Sequence, residues 1–151
     1  MAEIDEKFVE EIVRKIITEK LSNNNIMEKE IGPGGVVHVK TGTVKCQKFD
    51  TGKEGDNVLL TDILTLDESP YMGCGVMEMT ETTFDWTLNY EEIDYVIEGT
   101  LEIVIGDKKV SGSRGDIIMI PRNSKIKFSA PKHARFLYCT YPANWAEEKN
   151  S

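Results

Sequence analysis

Downstream of Gly35 the chain breaks into short apolar or alternating runs: VVHVK, NVLLTDILTL, CGVMEM, DYVIEG, LEIVIG, DIIMIP, KIKFS and RFLYCTY, parted by Gly, Pro, Asp and Asn. About eight strands at roughly ten-residue spacing, with no 3.6-residue period, call for an all-β barrel or a double-sheet jelly roll. At 151 residues the chain suits one domain with a sizeable core.

Residues 4–21, IDEKFVEEIVRKIITEKL, break that texture and predict one long amphipathic helix. Val9, Ile12, Val13, Ile16, Ile17 and Leu21 recur at three- and four-residue steps and make a single apolar stripe. Asp5 and Glu6 suit the positive end of the helix dipole, and Arg14, Lys15 and Lys20 suit the negative end. Glu10 with Arg14 and Glu11 with Lys15 are favourable four-residue pairs. SNNN at Ser22–Asn25 ends the helix, and IGPGG at Ile31–Gly35 is a second break. The expected organisation is a helix over 1–22, a linker over 23–35, a barrel over 36–145 and a tail over 146–151.

A net charge of −8 argues against nucleic acid, whose phosphates need clustered Lys and Arg, and against anionic lipid surfaces. No apolar run reaches membrane-spanning length, and the acids interleaved near the N-terminus do not suit a signal peptide. Cys46, Cys74 and Cys139 are an odd count without a CxxC pair. They read as free thiols, packed as small hydrophobes in a reducing cytoplasm.

Two spaced sets of turn and strand-end residues stand inside the β region. Six residues separate Glu92 from Gly99, and counting back four more puts Asp85 and Thr87 two apart. Fifteen residues separate Gly99 from Gly115, and five separate Gly115 from Pro121, with Asn123, Ile126 and Ala130 beyond. Gly99 fits a tight turn between DYVIE and TLEIVIG. Asp116 opens a strand that Pro121 ends. Strand alternation puts Asp85, Thr87, Glu92, Asp94 and Ile126 on one face. Phe84 and Trp86 then pack on the other, against another layer or a second subunit.

These spacings resemble the two motifs of the cupin superfamily: Gly, five residues, His-x-His, three or four residues, Glu, six residues, Gly; then Gly, five residues, Pro-x-Gly, two residues, His, three residues, Asn. Here Met79 stands at the leading glycine, Asp85 and Thr87 at the paired histidines, and Ile126 at the third. The resemblance covers about 110 residues and implies a cupin jelly-roll barrel preceded by an amphipathic helix, with its histidine cage missing. FDWTLNYEEIDYVIEGTLEIVI with GDIIMIPRNSKIKFSAP is, more narrowly, similar to the ethanolamine-utilisation EutQ family. That resemblance implies acetate kinase activity, interconverting acetyl phosphate plus ADP with acetate plus ATP, in a bacterial microcompartment. Longer members of the family carry an N-terminal region that this chain mostly lacks.

His38 and His133, the two histidines, fall in neither motif, so no tightly bound transition metal is expected. Glu92, Asp94 and Asp85 are instead candidate oxygen ligands for Mg²⁺ with ATP or ADP. The alternative is structural: the acids accept hydrogen bonds from Thr87, Tyr90 and backbone, or share one proton. Candidate catalytic residues are Glu92, Asp94 and Tyr90. Asp85, Thr87 and Arg122 are candidate substrate-binding residues, Arg122 at the barrel mouth beyond Pro121. No GxxxxGK[ST] loop is present, and IGPGGV lacks its lysine. The helix at 4–21 looks like an encapsulation peptide that docks on a shell protein; its stripe can equally cover its own barrel or a partner subunit. A homodimer is expected from cupin habit. A non-catalytic assembly protein and a small-molecule sensor or isomerase remain as alternatives.

Overall fold

The structure, a computed structural model, describes residues 5–14 and 26–145. The chain divides into two compact units, residues 1–45 and 46–151.

In the first unit residues 6–14 are helical. The Lys7 amide donates to Asp5 Oδ1 at 3.0 Å, so Asp5 satisfies one of the amides that a helix start leaves unpaired. Arg14 and Glu10 form the expected four-residue ion pair, at 2.7 Å. The remaining residues of the helix expected over 4–21, Ile4 and 15–21, lie outside the described residues. The stretch expected as a linker instead holds a strand. β1 (Glu28–Ile31) pairs antiparallel with β2 (Val37–Lys40), Glu28 opposite Lys40 and Ile31 opposite Val37. IGPGG is their connection: a 3₁₀ turn over Pro33–Gly35, with Gly34 and Gly35 at positive φ. The β unit proper begins at Cys46, ten residues beyond the expected boundary.

The second unit is built from β3 (Gln47–Lys48), β4 (Val58–Asp62), β5 (Gly73–Leu88), β6 (Glu91–Ile105), β7 (Lys108–Ser113), β8 (Ile117–Ile120) and β9 (Ser124–Tyr141). Their order is β3-β4-β5-β9-β6-β7, with β8 on β6, and the pairings are antiparallel. β5 and β6 follow each other in sequence, yet β9 lies between them and pairs with both. This long-range return makes the sheet a jelly roll and not a meander. Among the described pairings none joins β3 to β7, so the sheet is curled but not closed into a ring.

Curling of strands this long needs breaks in register. β5 shifts between Thr80 and Thr82, where Glu81 takes φ 46°. β6 shifts on both sides of Gly99, which has φ 74°. Gly99 is therefore a bend inside one strand, not the expected turn between two. Any Cβ there would run into the His133 carbonyl of β9. Gly115, with φ 90°, does occupy a turn, and its amide donates to the Val96 carbonyl at 2.8 Å. β8 stops at Ile120, immediately before Pro121.

Alternation decides which side becomes the core. Phe84, Trp86 and Leu88 on β5, Val96 on β6, and Ile126, Phe128, Ala134, Phe136 and Tyr138 on β9 are all buried in one cluster with Leu101 and Ile103. Truncating a fully buried member such as Leu101 to Ala should cost about 2–5 kcal/mol.

Candidate functional site

Glu92 and Asp94 lie two residues apart on β6 and so share a face. That face is interior: Glu92 is 5% exposed and Asp94 0%. β6 is flanked there by β9 and β8, which put Thr140 and Ile120 opposite Glu92 and Tyr138 and Ile118 opposite Asp94. Tyr90 sits in the two-residue turn entering β6 and is also buried. Trp86 donates its indole N–H to the Tyr90 hydroxyl at 2.7 Å. Tyr138 donates its hydroxyl to Asp62 Oδ1 at 2.5 Å. Tyr138 can reach inward because its cross-strand neighbour is Gly75; a side chain at that position would collide with the Tyr138 ring.

Trp86, Tyr90, Glu92, Tyr138 and Trp145 line a cavity of about 20 Å³, together with Phe49, Leu60, Met77, Phe84 and Phe128. Phe49 and Leu60 are only half-buried, and stand at the solvent side of the lining. The Trp145 ring centroid is 6.0 Å from those of Trp86 and Tyr90, 6.2 Å from Phe49 and 6.4 Å from Tyr138.

The acids are costly in this setting. Glu92 Oε2, both Asp94 carboxyl oxygens and Thr140 Oγ1 are buried without a hydrogen-bond partner among the described residues. Burial pushes the Asp94 carboxyl well above the usual carboxylate range, and the neighbouring Glu92 charge pushes it further. Burial likewise raises Glu92 to about 7, against a smaller opposing effect of Asp94. Both shifts run upward, because two negative charges are costly side by side in a buried site. Burial also raises the Tyr90 and Tyr138 hydroxyls.

Tyr90, Glu92 and Asp94 are thus brought together as expected; the other three candidates are not. Asp85 and Thr87 are exposed, opposite Lys127 and Lys125 on the outer face of the sheet. Phe84 and Trp86, expected outside, are the inward residues. The physical reason is hydrophobic: one face of FDWTL carries Phe, Trp and Leu, and the core takes that face. In motif terms, three residues and not four separate the second ligand position from Glu92. The four former cage positions are therefore Trp86, Leu88, Glu92 and Ile126, all buried. Arg122 is exposed in the turn between β8 and β9 and is not among the residues of the lining. The sequence reading missed Tyr138, Trp145 and the inward Trp86. Strict alternation in Thr83–Leu88 was the available signal for Trp86; Tyr138 and Trp145 had none of comparable strength.

Oxygen donors of the Glu92 and Asp94 type suit Mg²⁺, which keeps several waters and takes one or two carboxylates alongside substrate phosphates. Their unpartnered oxygens fit that role. Among the described residues no three His, Cys, Asp or Glu side chains form a group that could by itself hold a metal ion. Cys46, Cys74 and Cys139 are half-buried free thiols. Cys74 and Cys139 oppose each other on β5 and β9 with their sulfurs 3.8 Å apart. Among the described residues no helix is long and apolar enough to cross a membrane.

The chain is similar to known proteins in sequence and fold. The chain is 51% identical to the "Acetate kinase EutQ" of Clostridioides difficile, across 98% of each chain. It is 37% identical to the Salmonella typhimurium protein of the same name, across 93% of this chain but 63% of that longer one. The solved Clostridium difficile EutQ structure, 54% identical, superposes with a TM-score of 0.77 over 80% of this chain and 90% of that one. A likeness of fold alone extends to the Schizosaccharomyces pombe Cnp3 cupin domain, at 12% identity and TM-score 0.56 over 83% of this chain and 92% of that one. The family model described as "Ethanolamine utilisation protein EutQ" matches residues 4–147. The chain belongs to the EutQ family of ethanolamine utilisation proteins, and its fold is a cupin jelly roll.

Proposed function

We propose that this chain catalyses acetate kinase-type phosphoryl transfer between acetyl phosphate and ADP in a bacterial microcompartment. The carrying observation is the buried Glu92–Asp94 pair with unpartnered oxygens beside a small cavity; the name borne by the 51% identical relative supports the reaction class.

At about 20 Å³ the cavity has room for about one water-sized group. It would take the methyl of the acetyl group, against Trp86, Phe84 and Phe128, while the rest of the substrate and the nucleotide would stay at the mouth by Phe49 and Leu60. Glu92 and Asp94 would hold Mg²⁺, which when bound supplies the positive charge that phosphoryl transfer requires. The aromatic walls exclude water from the transfer. ATP formation from acetyl phosphate and ADP, measured on the purified chain with and without a chelator, tests the reading. Turnover that requires divalent cation and falls about a hundredfold or more in Glu92→Gln supports it; turnover unchanged by the substitution rejects the site.

A second reading, a non-catalytic assembly protein, rests on the helix. Phe8, Val9, Ile12 and Val13 are between 41% and 60% exposed, an apolar stripe suited to a shell-protein helix. Deleting residues 1–22 should then abolish co-purification with shell proteins while leaving the β unit folded; retained association rejects the helix as the contact. A homodimer is supported by another exposed apolar face, where Ile93 and Tyr95 on β6 neighbour Met119 and Ile117 on β8.

A further inference from the structure

Cys74 and Cys139 face each other directly across β5 and β9, with their sulfurs 3.8 Å apart. The next rung of the same pairing, Gly75 opposite Tyr138, turns inward, so alternation turns the two thiols to the outer face of the sheet. Both are half-buried there, beside Ile93 of β6, which opposes Cys139 and is 46% exposed. A small reagent therefore reaches them without opening the core.

Directly opposed residues of an antiparallel pair have Cα atoms about 4.5–5.5 Å apart, inside the span that a disulfide bridges. Joining the two sulfurs thus takes side-chain rotation and leaves the register of β5 on β9 as it is. Cys46 is placed differently: its thiol donates to the Val76 carbonyl at 3.4 Å, and burial pushes it up to about 11. The hydrogen bond with Cys74 acts the other way on Cys139, pulling its thiol down to about 7 against the opposing effect of burial. The same bond, with burial, raises Cys74. The pair thereby offers a nucleophilic thiolate at neutral pH with a protonated thiol beside it.

We propose that Cys74 and Cys139 form a reversible dithiol–disulfide site, oxidised by small disulfides of the glutathione class and reduced by the matching thiols. Cys139 as thiolate attacks one sulfur of the small disulfide; that S–S bond breaks, one small thiolate leaves, and Cys139 is held in a mixed disulfide. Cys74 loses its proton to solvent and attacks the Cys139 sulfur, expelling the second small thiolate. The protein gives up two electrons and the reagent becomes two thiols, so the exchange balances and runs backward in excess thiol. The bond pins β5 to β9 one rung from Tyr138, which lines the cavity. The inference goes beyond the phosphoryl-transfer reading and does not rest on it.

The purified full chain, reduced and then freed of reductant, should show three titratable thiols. Incubation with glutathione disulfide should leave one thiol, remove two hydrogens from the intact mass, and keep the chain monomeric on denaturing, non-reducing electrophoresis. Peptide mapping should find Cys74 joined to Cys139, and dithiothreitol should restore the three thiols. Cys46→Ser should oxidise as the parent does, while Cys139→Ser should form no intrachain bond. Because the native register accommodates the bond, which spans 65 residues of sequence, the oxidised chain should melt about 3 °C or more above the reduced one. A persistent glutathione adduct, a disulfide-linked dimer, a bond to Cys46 or three unreacted thiols would each overturn the inference. So would a melting temperature that fails to rise on oxidation. The parent's mass and peptide map decide the matter alone, so misfolding of a variant would not shield it. No reaction component is present, and failure here leaves the kinase reading standing.

Discussion

Trp86 on β5 donates its indole N–H to the hydroxyl of Tyr90, 2.7 Å away across the turn into β6. Both residues are buried, so this bond holds two walls of the cavity in register and sets the entry angle of the strand that carries Glu92 and Asp94. Tyr90→Phe keeps the ring but orphans the indole N–H, at a cost of about 1–3 kcal/mol. A thermal melt should fall by about 3–10 °C, and tryptophan emission should change with it. A melt within 1 °C of the parent would mean that the bond carries no stability.

The buried acids make stability depend on pH in a defined direction. Glu92 sits near 7 in the fold against an ordinary 4.5, and Asp94 is raised as well. Between about pH 4.5 and 7 the folded chain therefore holds protons that the unfolded chain has released. Stability from these groups is fully present below that window and is lost as pH rises through 7. The loss should be on the order of 1–3 kcal/mol. Melting curves from pH 5.5 to 8 should slope downward for the parent and be flatter for Glu92→Gln/Asp94→Asn. Parallel slopes would place the ionisation elsewhere.

Gly99 bends β6 at φ 74° and lies against the His133 carbonyl. Gly99→Ala combines a disfavoured backbone with a steric clash and should destabilise the chain by about 3 kcal/mol or more. Denaturant titration measures it; a change below 1 kcal/mol would contradict the close approach.

Position in the motif can be tested by rebuilding it. Trp86→His/Leu88→His/Ile126→His would aim three imidazoles inward beside Glu92 and should create a site for Zn²⁺ or Co²⁺. Asp85→His/Thr87→His/Ile126→His should not, because two of its imidazoles would face solvent. A Co²⁺ absorption spectrum and a metal-dependent rise in melting temperature distinguish them; a metal site in the second variant alone would restore the four-residue spacing.

That choice of spacing marks the limit of what the residues disclosed unaided. The jelly roll was legible because alternating runs and their Gly and Pro boundaries are local signals, and Gly115 and Pro121 stand where those signals put them. The inward direction of Glu92 and Asp94 was legible for the same reason. The face of β5 was misread because a motif permitting three or four residues was allowed to override the plain alternation of Phe84, Trp86 and Leu88 with Asp85 and Thr87. The strand in the expected linker was missed because β1 has only four residues, most of them charged or polar, and is held by pairing with β2 and not by a buried face. Tyr138 reaches the cavity from β9 and Trp145 from the segment just past its end, and the place of β9 between β5 and β6 is a long-range pairing that no local pattern carries.

The central claim is that function resides on the interior face of β6 and not on the outer face of β5. One assay compares the two: ATP formation from acetyl phosphate and ADP by Glu92→Gln/Asp94→Asn beside Asp85→Ala/Thr87→Ala, with both folds verified by circular dichroism. Loss of turnover by about a hundredfold or more in the interior variant, with turnover kept within about twofold in the outer one, is the predicted result. Loss confined to the outer variant would contradict the account.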